Sequence, residues 1–168
     1  MRLRDHVILG TVAAVSLYPL WGAPRSLLFL LAAVFIDVDH YIDYLWRTKG
    51  KDWRPSQMFR YYEKFNEHMY DSDNLGFSLF HTLEIFILLF LLAYYINYVF
   101  FITIIAGMLF HMVLDMLWLA YYRIFLVRPY SLIEYFLRRN HRIKKGLHPQ
   151  SYYDRMFSLS QDAKKELK

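Results

Sequence analysis

The chain has 168 residues and a mass of 20.4 kDa, is 57% hydrophobic and 20% aromatic, and sets 20 Lys and Arg against 15 Asp and Glu for a formal charge of +5. That composition excludes a disordered or fibrous chain, and an apolar share above the about 45–50% usual for soluble domains exceeds what so short a chain hides in its own interior, which points to a membrane. The absence of Cys excludes disulfide scaffolds, thiolate metal sites and cysteine nucleophiles, leaving His, Asp and Glu for any metal chemistry.

In chain order, the first apolar stretch is Val7 to Leu20, and Ser26 to Ile36 continues apolar until it meets a run of acids. Pro19, Gly22 and Pro24 mark a turn between the two. Two short membrane spans are one reading of this front hairpin, and a buried pair of soluble helices is the other. The basic start of the first stretch is like a signal peptide, but no small-x-small cleavage pair precedes a polar region, so a retained span is expected. Next, Ser56 to Tyr70 carries Met58, Tyr62, Phe65 and Met69 at helical spacing with charges elsewhere on the wheel. It reads as a helix lying on the inner membrane surface or as a linker helix packed on the domain. No Lys or Arg occurs from Phe65 to Tyr122, and no charge of either sign from Ile85 to Phe110. Two further spans are predicted here, Phe77 to Tyr95 and Val99 to Tyr122, joined by a turn near Ile96 to Tyr98. After Pro129, Ser131 and Glu134 stand in capping-box spacing ahead of a short helix that ends in a basic run, Arg138 to Lys145, of the kind that attracts anionic lipid headgroups. Beyond Gly146 a mobile polar end is expected. The predicted architecture is therefore all-α: an integral membrane four-helix bundle over residues 1–130, with an interfacial helix at about 55–70, and a basic cytoplasmic C-terminal segment over 131–168.

Lys and Arg set the expected orientation. Arg2 and Arg4 precede the first span, Arg25 alone lies in the first turn, and Arg47, Lys49, Lys51, Arg54, Arg60 and Lys64 follow the second span. None lies between the third and fourth spans, and eleven follow the fourth. The basic-inside bias places both termini and the central loop in the cytoplasm. Tyr18, Trp21, Tyr94, Tyr95 and Tyr98 then fall on the outer side, and Trp46, Trp118, Tyr121 and Tyr122 on the inner side, as interfacial aromatics should.

Against this background the ionisable groups stand out, because each costs about 2.5–3.5 kcal/mol near the centre of a span. They are His6 at the start of the first span, Asp37, Asp39, His40 and Asp43 at the end of the second, His81 and Glu84 early in the third, and His111 and Asp115 late in the fourth. Under the orientation derived from Lys and Arg, all nine fall in the cytoplasmic half of their helices. His111 and Asp115, four apart, share one helix face, and His81 and Glu84, three apart, lie about 60° from each other. Asp37 and Asp39 would stand about 160° apart on an ideal helix, so either the helix loosens there or one of them only supports the site. Imidazole nitrogen with carboxylate oxygen suits Zn, Mn or Fe, and so many donors suit two or more ions. His68, His141 and His148 are read as solvent- or headgroup-facing.

The order of these motifs, His6, then Asp-Val-Asp-His at 37–40, His81 with Thr82, and the His111–Asp115 pair, resembles the prokaryotic membrane-bound metal-dependent hydrolases that LexA regulates in some bacteria. The resemblance covers about residues 2–122 and implies an integral inner-membrane protein with a metal-dependent hydrolase site. Members of that family often carry His-Arg-Gly ahead of the His-Thr step, where this chain has Leu75, Gly76 and Phe77. More distantly, the arrangement is similar to the helical zinc phospholipase C and single-strand nuclease fold, which implies only the general idea of a multinuclear site borne on helices.

The function expected from the sequence is metal-assisted hydrolysis of a phosphoester or other ester at the cytoplasmic membrane face, with an anionic lipid among the candidate substrates. His40, His81, His111 and Asp115 are the leading ligands, Asp37 and Asp39 bridging or supporting groups, Glu84 a ligand or general base, and His6 a further ligand. The rivals are a non-catalytic metal-binding scaffold and a proton or ion relay, the latter disfavoured because polar groups confined to one half leave the outer half sealed. Nucleic acid is a remote partner, because few aromatics interleave with the basic tail.

Overall fold

A computed structural model of the chain describes residues 3–71, 73–124 and 128–165; Arg2, one of the cations expected ahead of the first span, lies outside them. Among the described residues the chain is all-helical. The order is α1 (Leu3–Phe35), α2 (Val38–Arg47), α3 (Pro55–Glu67), a 3-10 turn (Leu79–His81), α4 (Leu83–Tyr95), α5 (Tyr98–Tyr121), α6 (Leu132–Lys144) and α7 (Pro149–Lys165). These divide into two compact units, Met1–Asp37 with Leu79–Phe125, and Val38–Ser78 with Leu126–Lys168.

In the first unit, α1 is not one rod. Gly22 has φ 72° and ψ 170°, a backbone region that residues with a Cβ avoid, and Pro19 and Pro24 flank it. The two arms fold back on each other, because a Cβ placed on Gly10 would lie 3.3 Å from Leu30 Cδ1 and 3.8 Å from Ala33 Cβ. The turn expected between the first two apolar stretches is thus made at Gly22. α5 packs closely against the second arm: a Cβ on Gly107 would run into the Phe29 carbonyl oxygen and sit 2.9 Å from Ala32 Cβ, so only glycine allows this approach. Ile36, Phe86, Ile105 and Met108 complete the apolar packing between α1, α4 and α5.

Among the described residues, two stretches are long and apolar enough to cross a membrane, Leu3–Arg47, which contains α1, and Tyr98–Tyr121. At 24 residues, α5 is about 36 Å long against a hydrocarbon core of about 30 Å. It begins where Asn97 caps it, the side-chain oxygen accepting from Phe100 N at 2.9 Å. The stretch read as a third span is shorter than expected. Its α-helix is only the 13 residues of α4, about 20 Å, because the chain enters through the 3-10 turn and Thr82, whose extended backbone (ψ 149°) breaks the helix between His81 and Leu83.

The second unit is organised around aromatic residues. Tyr44 of α2, Met58, Tyr61 and Phe65 of α3, and Tyr152, Tyr153 and Met156 of α7 form one buried cluster. The apolar face of α3 is covered by α7, as in the second of the two readings given for it, a helix packed on the domain. One expectation is corrected here. The tail beyond Gly146 is the ordered helix α7, whose Tyr152, Tyr153 and Met156 are periodic apolar positions; Gln57 Nε2 donates to Ser160 Oγ at 2.9 Å and fixes α3 and α7 in register. α6 starts at Ser131, whose hydroxyl accepts from Ile133 N, while Glu134 accepts from Tyr130 N, one residue earlier than a capping box would have it.

Candidate metal centre

Five polar side chains from four places in the sequence meet inside the first unit. His6 comes from the first arm of α1, Asp37 from the turn that ends the second arm, His81 from the close of the 3-10 turn, and His111 and Asp115 from adjacent turns of α5. His6, His81 and His111 are 0–1% exposed and Asp115 is 5% exposed, whereas Asp37 is half-buried. Burial of this kind is costly unless each group has a partner, so their grouping requires an explanation beyond packing.

His111 is the hub. Its Nδ1 donates to the Ala33 carbonyl at 2.8 Å, one of the carbonyls that the end of a helix leaves unmatched. That bond fixes the tautomer and aims Nε2, as a lone-pair donor, at the carboxylates. Nε2 stands 3.3 Å from Asp37 Oδ1 and 3.6 Å from Asp115 Oδ2. His6 Nε2 is 3.2 Å from Asp115 Oδ1, and His81 Nε2 is 3.6 Å from Asp37 Oδ1 and 4.0 Å from Asp115 Oδ2. The His6 and His111 rings stack at 3.7 Å between centroids with 12° between planes, and His81 meets His111 edge-on at 5.2 Å.

These spacings fit a metal. Ligand bonds of about 2.0–2.2 Å around a tetrahedral cation give donor-to-donor edges of roughly 3.3–3.6 Å, the range in which most of these pairs fall. Within the first unit, two sets of three have donor atoms that lie within 4.8 Å of one another, His6–His111–Asp115 and Asp37–His81–His111. His111 Nε2 and both nitrogens of His6 are buried without a hydrogen bond of good geometry. Three imidazoles and two carboxylates, with no thiolate, are donors for borderline transition metals. The buried His and Asp groups can therefore hold a metal ion.

The remaining predicted residues lie outside those two sets. Asp39 and His40 open α2 and belong to the second unit, where Asp39 is buried, His40 Nδ1 lies 3.5 Å from Asp39 Oδ1 and 3.3 Å from Ser78 Oγ, and the His40 ring lies 4.8 Å from that of Tyr62. The expected loosening at the end of the second apolar stretch occurs at Ile36–Asp37, which separates Asp37 from Asp39 by a turn. Glu84 sits in the first turn of α4, half-buried, and is in neither of the first unit's convergent sets. His81 and Glu84 do not share a helix, since Thr82 caps the break between them, and the 60° relation drawn from a continuous helix does not apply.

Asp43 has a structural partner that its spacing to Arg47 could have disclosed. It is ion-paired at i, i+4 to the buried Arg47 and accepts from the Tyr62 hydroxyl at 2.8 Å. The Ala33 carbonyl, which orients His111, is a backbone group and left no side-chain signal in the sequence. The chain matches no protein-family model, no curated protein and no solved structure.

Proposed function

We propose that this chain is an integral membrane metalloenzyme that hydrolyses an ester, in the first place a phosphoester reaching the cytoplasmic leaflet. The observation that carries the reading is the convergence of His6, Asp37, His81, His111 and Asp115 inside a unit whose outer surface is Leu, Ile, Val and Phe. Val12, Val15, Leu27, Ile87, Leu91 and Leu117 all point outward in that unit. An apolar exterior around a polar interior is at equilibrium in lipid, where buried ionisable groups mark functional sites, and is unfavourable in water. The order of the histidine and acidic motifs, similar to LexA-regulated membrane hydrolases, supports the same class of reaction.

In this reading His6, His81, His111, Asp37 and Asp115 hold one or two divalent transition-metal ions of the Zn or Mn type. Such an ion supplies Lewis acidity toward water and toward a phosphoryl or carbonyl oxygen. The chain's own contribution is positional. The Ala33 carbonyl holds His111 in the tautomer that coordinates, the stacked His6 prevents that ring from turning, and the helices around them exclude bulk water. Hydrolysis transfers a proton from the attacking water and returns one to the departing alkoxide, and Glu84, a carboxylate outside the ligand sets, is the candidate to carry it. Asp39 and His40 are assigned a supporting role in the second unit. The distribution of Lys and Arg supports an orientation with both termini on the cytoplasmic side.

Elemental analysis of the detergent-purified protein beside His111→Ala tests the proposal. Stoichiometric transition metal, lost in the variant while membrane insertion persists, is the expected result, with Glu84→Gln retaining metal but losing turnover on a panel of phosphoesters and carboxylic esters. Absence of metal after Zn or Mn loading overturns the metal site. Metal without turnover on any ester, coupled with unfolding on chelation, would instead favour the scaffold reading, in which the ion staples helices around an interior that is polar rather than apolar.

A further inference from the structure

The helix α6 is amphipathic in the reverse of the usual sense. At about 100° per residue, Leu132, Ile133, Phe136, Leu137 and Ile143 fall within a stripe of roughly 140°, and Tyr135 and Arg142 lie on the opposite side. A helix of a water-soluble domain turns such a stripe to its core. Here the opposite side is the one attached to the second unit. The Tyr135 ring lies 4.5 Å from that of Phe77, and Arg142 donates to the Asn74 carbonyl oxygen. No residue of α6 is buried, and Ile133, Phe136 and Leu137 are each more than half exposed.

The charges around the stripe identify what it meets. Arg139 and Lys144 border or interrupt it, and Lys145 follows at the helix end; all three are exposed. The acid of this helix, Glu134, is half-buried, ion-paired to Arg138 and engaged by the Tyr130 N–H. The outward surface of α6 is therefore apolar apart from the exposed Asn140 near its midline, and cationic at its edge and end, with no exposed carboxylate among its described residues. Long basic side chains lift their charges off an apolar stripe by several ångströms, which places them at headgroup level when the stripe is immersed. A protein groove that took this stripe would need acidic groups on both sides of it, whereas an anionic lipid surface provides them everywhere.

We propose that α6 is a membrane-surface anchor: it lies in the plane of a leaflet containing anionic phospholipid, with Ile133, Phe136 and Leu137 inserted among the acyl chains and Arg139, Lys144 and Lys145 on the headgroups. The inference draws nothing from the metal centre and stands or falls separately from it.

Because the chain has no Cys, a single thiol can be introduced anywhere and labelled cleanly. Full-length protein carrying Leu137→Cys or Arg139→Cys, each with an environment-sensitive fluorophore, is reconstituted in phosphatidylcholine vesicles with and without about one-third phosphatidylglycerol. The label at 137 is expected to shift to the blue and to be quenched by lipid-borne quenchers in the anionic vesicles, and the label at 139 to be quenched from water. Replacing Arg139, Lys144 and Lys145 together by Gln weakens insertion of the label at 137 by about fivefold per charge, of order one hundredfold in total. A label at 137 quenched from water in both vesicles overturns the proposal. So does one shielded from both lipid and water, which would mean that a second copy or another protein covers the stripe.

Discussion

The two units of this protein solve burial in opposite ways. In the second, Tyr44, Tyr61, Phe65, Tyr152, Tyr153 and Met156 are inside, and the charged Arg47 is buried only with Asp43 as its ion-pair partner and the Tyr153 ring 3.8 Å from its guanidinium carbon. That is the arrangement water selects. In the first, the most deeply buried residues include His6, His81, Thr82, Thr103 and His111, while large aliphatic residues of α1, α4 and α5 face outward. Cohesion in the second unit therefore comes from removing apolar surface from water, and in the first from close backbone approach and from whatever satisfies the histidines and aspartates.

The largest effect that would break this comparison is expected at Gly107. Valine there forces its Cβ into the Phe29 carbonyl and Ala32, which are backbone and short side chain and cannot swing aside. We expect a loss of about 3 kcal/mol or more, at the upper end of overpacking penalties. Because Gly107 is one turn from His111 on α5, the Nδ1 bond to Ala33 should be lost with it. Gly10→Ala meets only the end of Leu30 and should cost less than about 1 kcal/mol. Denaturant titration of both variants in one detergent checks the pair; equal tolerance of the two would show that the first unit does not rest on close helix approach.

Arg47→Met probes the second unit. It keeps an unbranched apolar stem but removes the guanidinium that lies over Tyr153 and leaves the Asp43 carboxylate without its cation, for an expected loss of about 3 kcal/mol, toward the low end for a broken buried pair because Tyr62 still donates to Asp43. Adding Asp43→Asn should recover part of that loss, which sharpens the comparison, since a unit with an apolar core tolerates the neutral pair. If the double variant is no more stable than Arg47→Met, the cation's contacts with the aromatic rings, and not the ion pair, hold it in place.

How far the sequence discloses each unit follows from the same contrast. α5 and the turn at Gly22 are legible because long uncharged runs and Pro/Gly punctuation act locally. His111 and Asp115 are legible as a pair because four-residue spacing on an uninterrupted helix fixes their common face. His81 with Glu84 is not, because Thr82 breaks the helix between them, and a break of one residue has no periodic signature. In the second unit the helix at Pro55–Glu67 is visible, but whether lipid or protein covers its apolar face depends on α7, about 90 residues away in sequence, whose composition resembles a polar tail. The positions most exposed to misreading are those whose partner is distant in the chain or lies in the backbone, as the Ala33 carbonyl does for His111.

A pH titration separates the units with the smallest expected effect. Burial raises the phenol pKa of Tyr61, Tyr152 and Tyr153, against a smaller opposing pull from the Arg47 guanidinium, and Tyr153 is pushed up to about 12. A phenol with a raised folded-state pKa binds its proton more tightly in the folded protein. Its contribution to stability is thus complete below the unfolded value of about 10 and is lost as pH rises through about 12. For Tyr153 that loss is roughly 3 kcal/mol. The first unit buries no tyrosine among its described residues, so no such alkaline term arises there. Tyrosinate absorbance followed together with helical circular dichroism should show the second unit loosening between about pH 10 and 12. Tyr153→Phe should make that decline shallower, at a cost of about 1 kcal/mol at neutral pH for the hydrogen bond its hydroxyl donates to the Leu75 carbonyl. An unchanged decline in the variant would mean that Tyr61 and Tyr152 carry the transition, and a decline that begins well below pH 10 would place its origin outside the aromatic core.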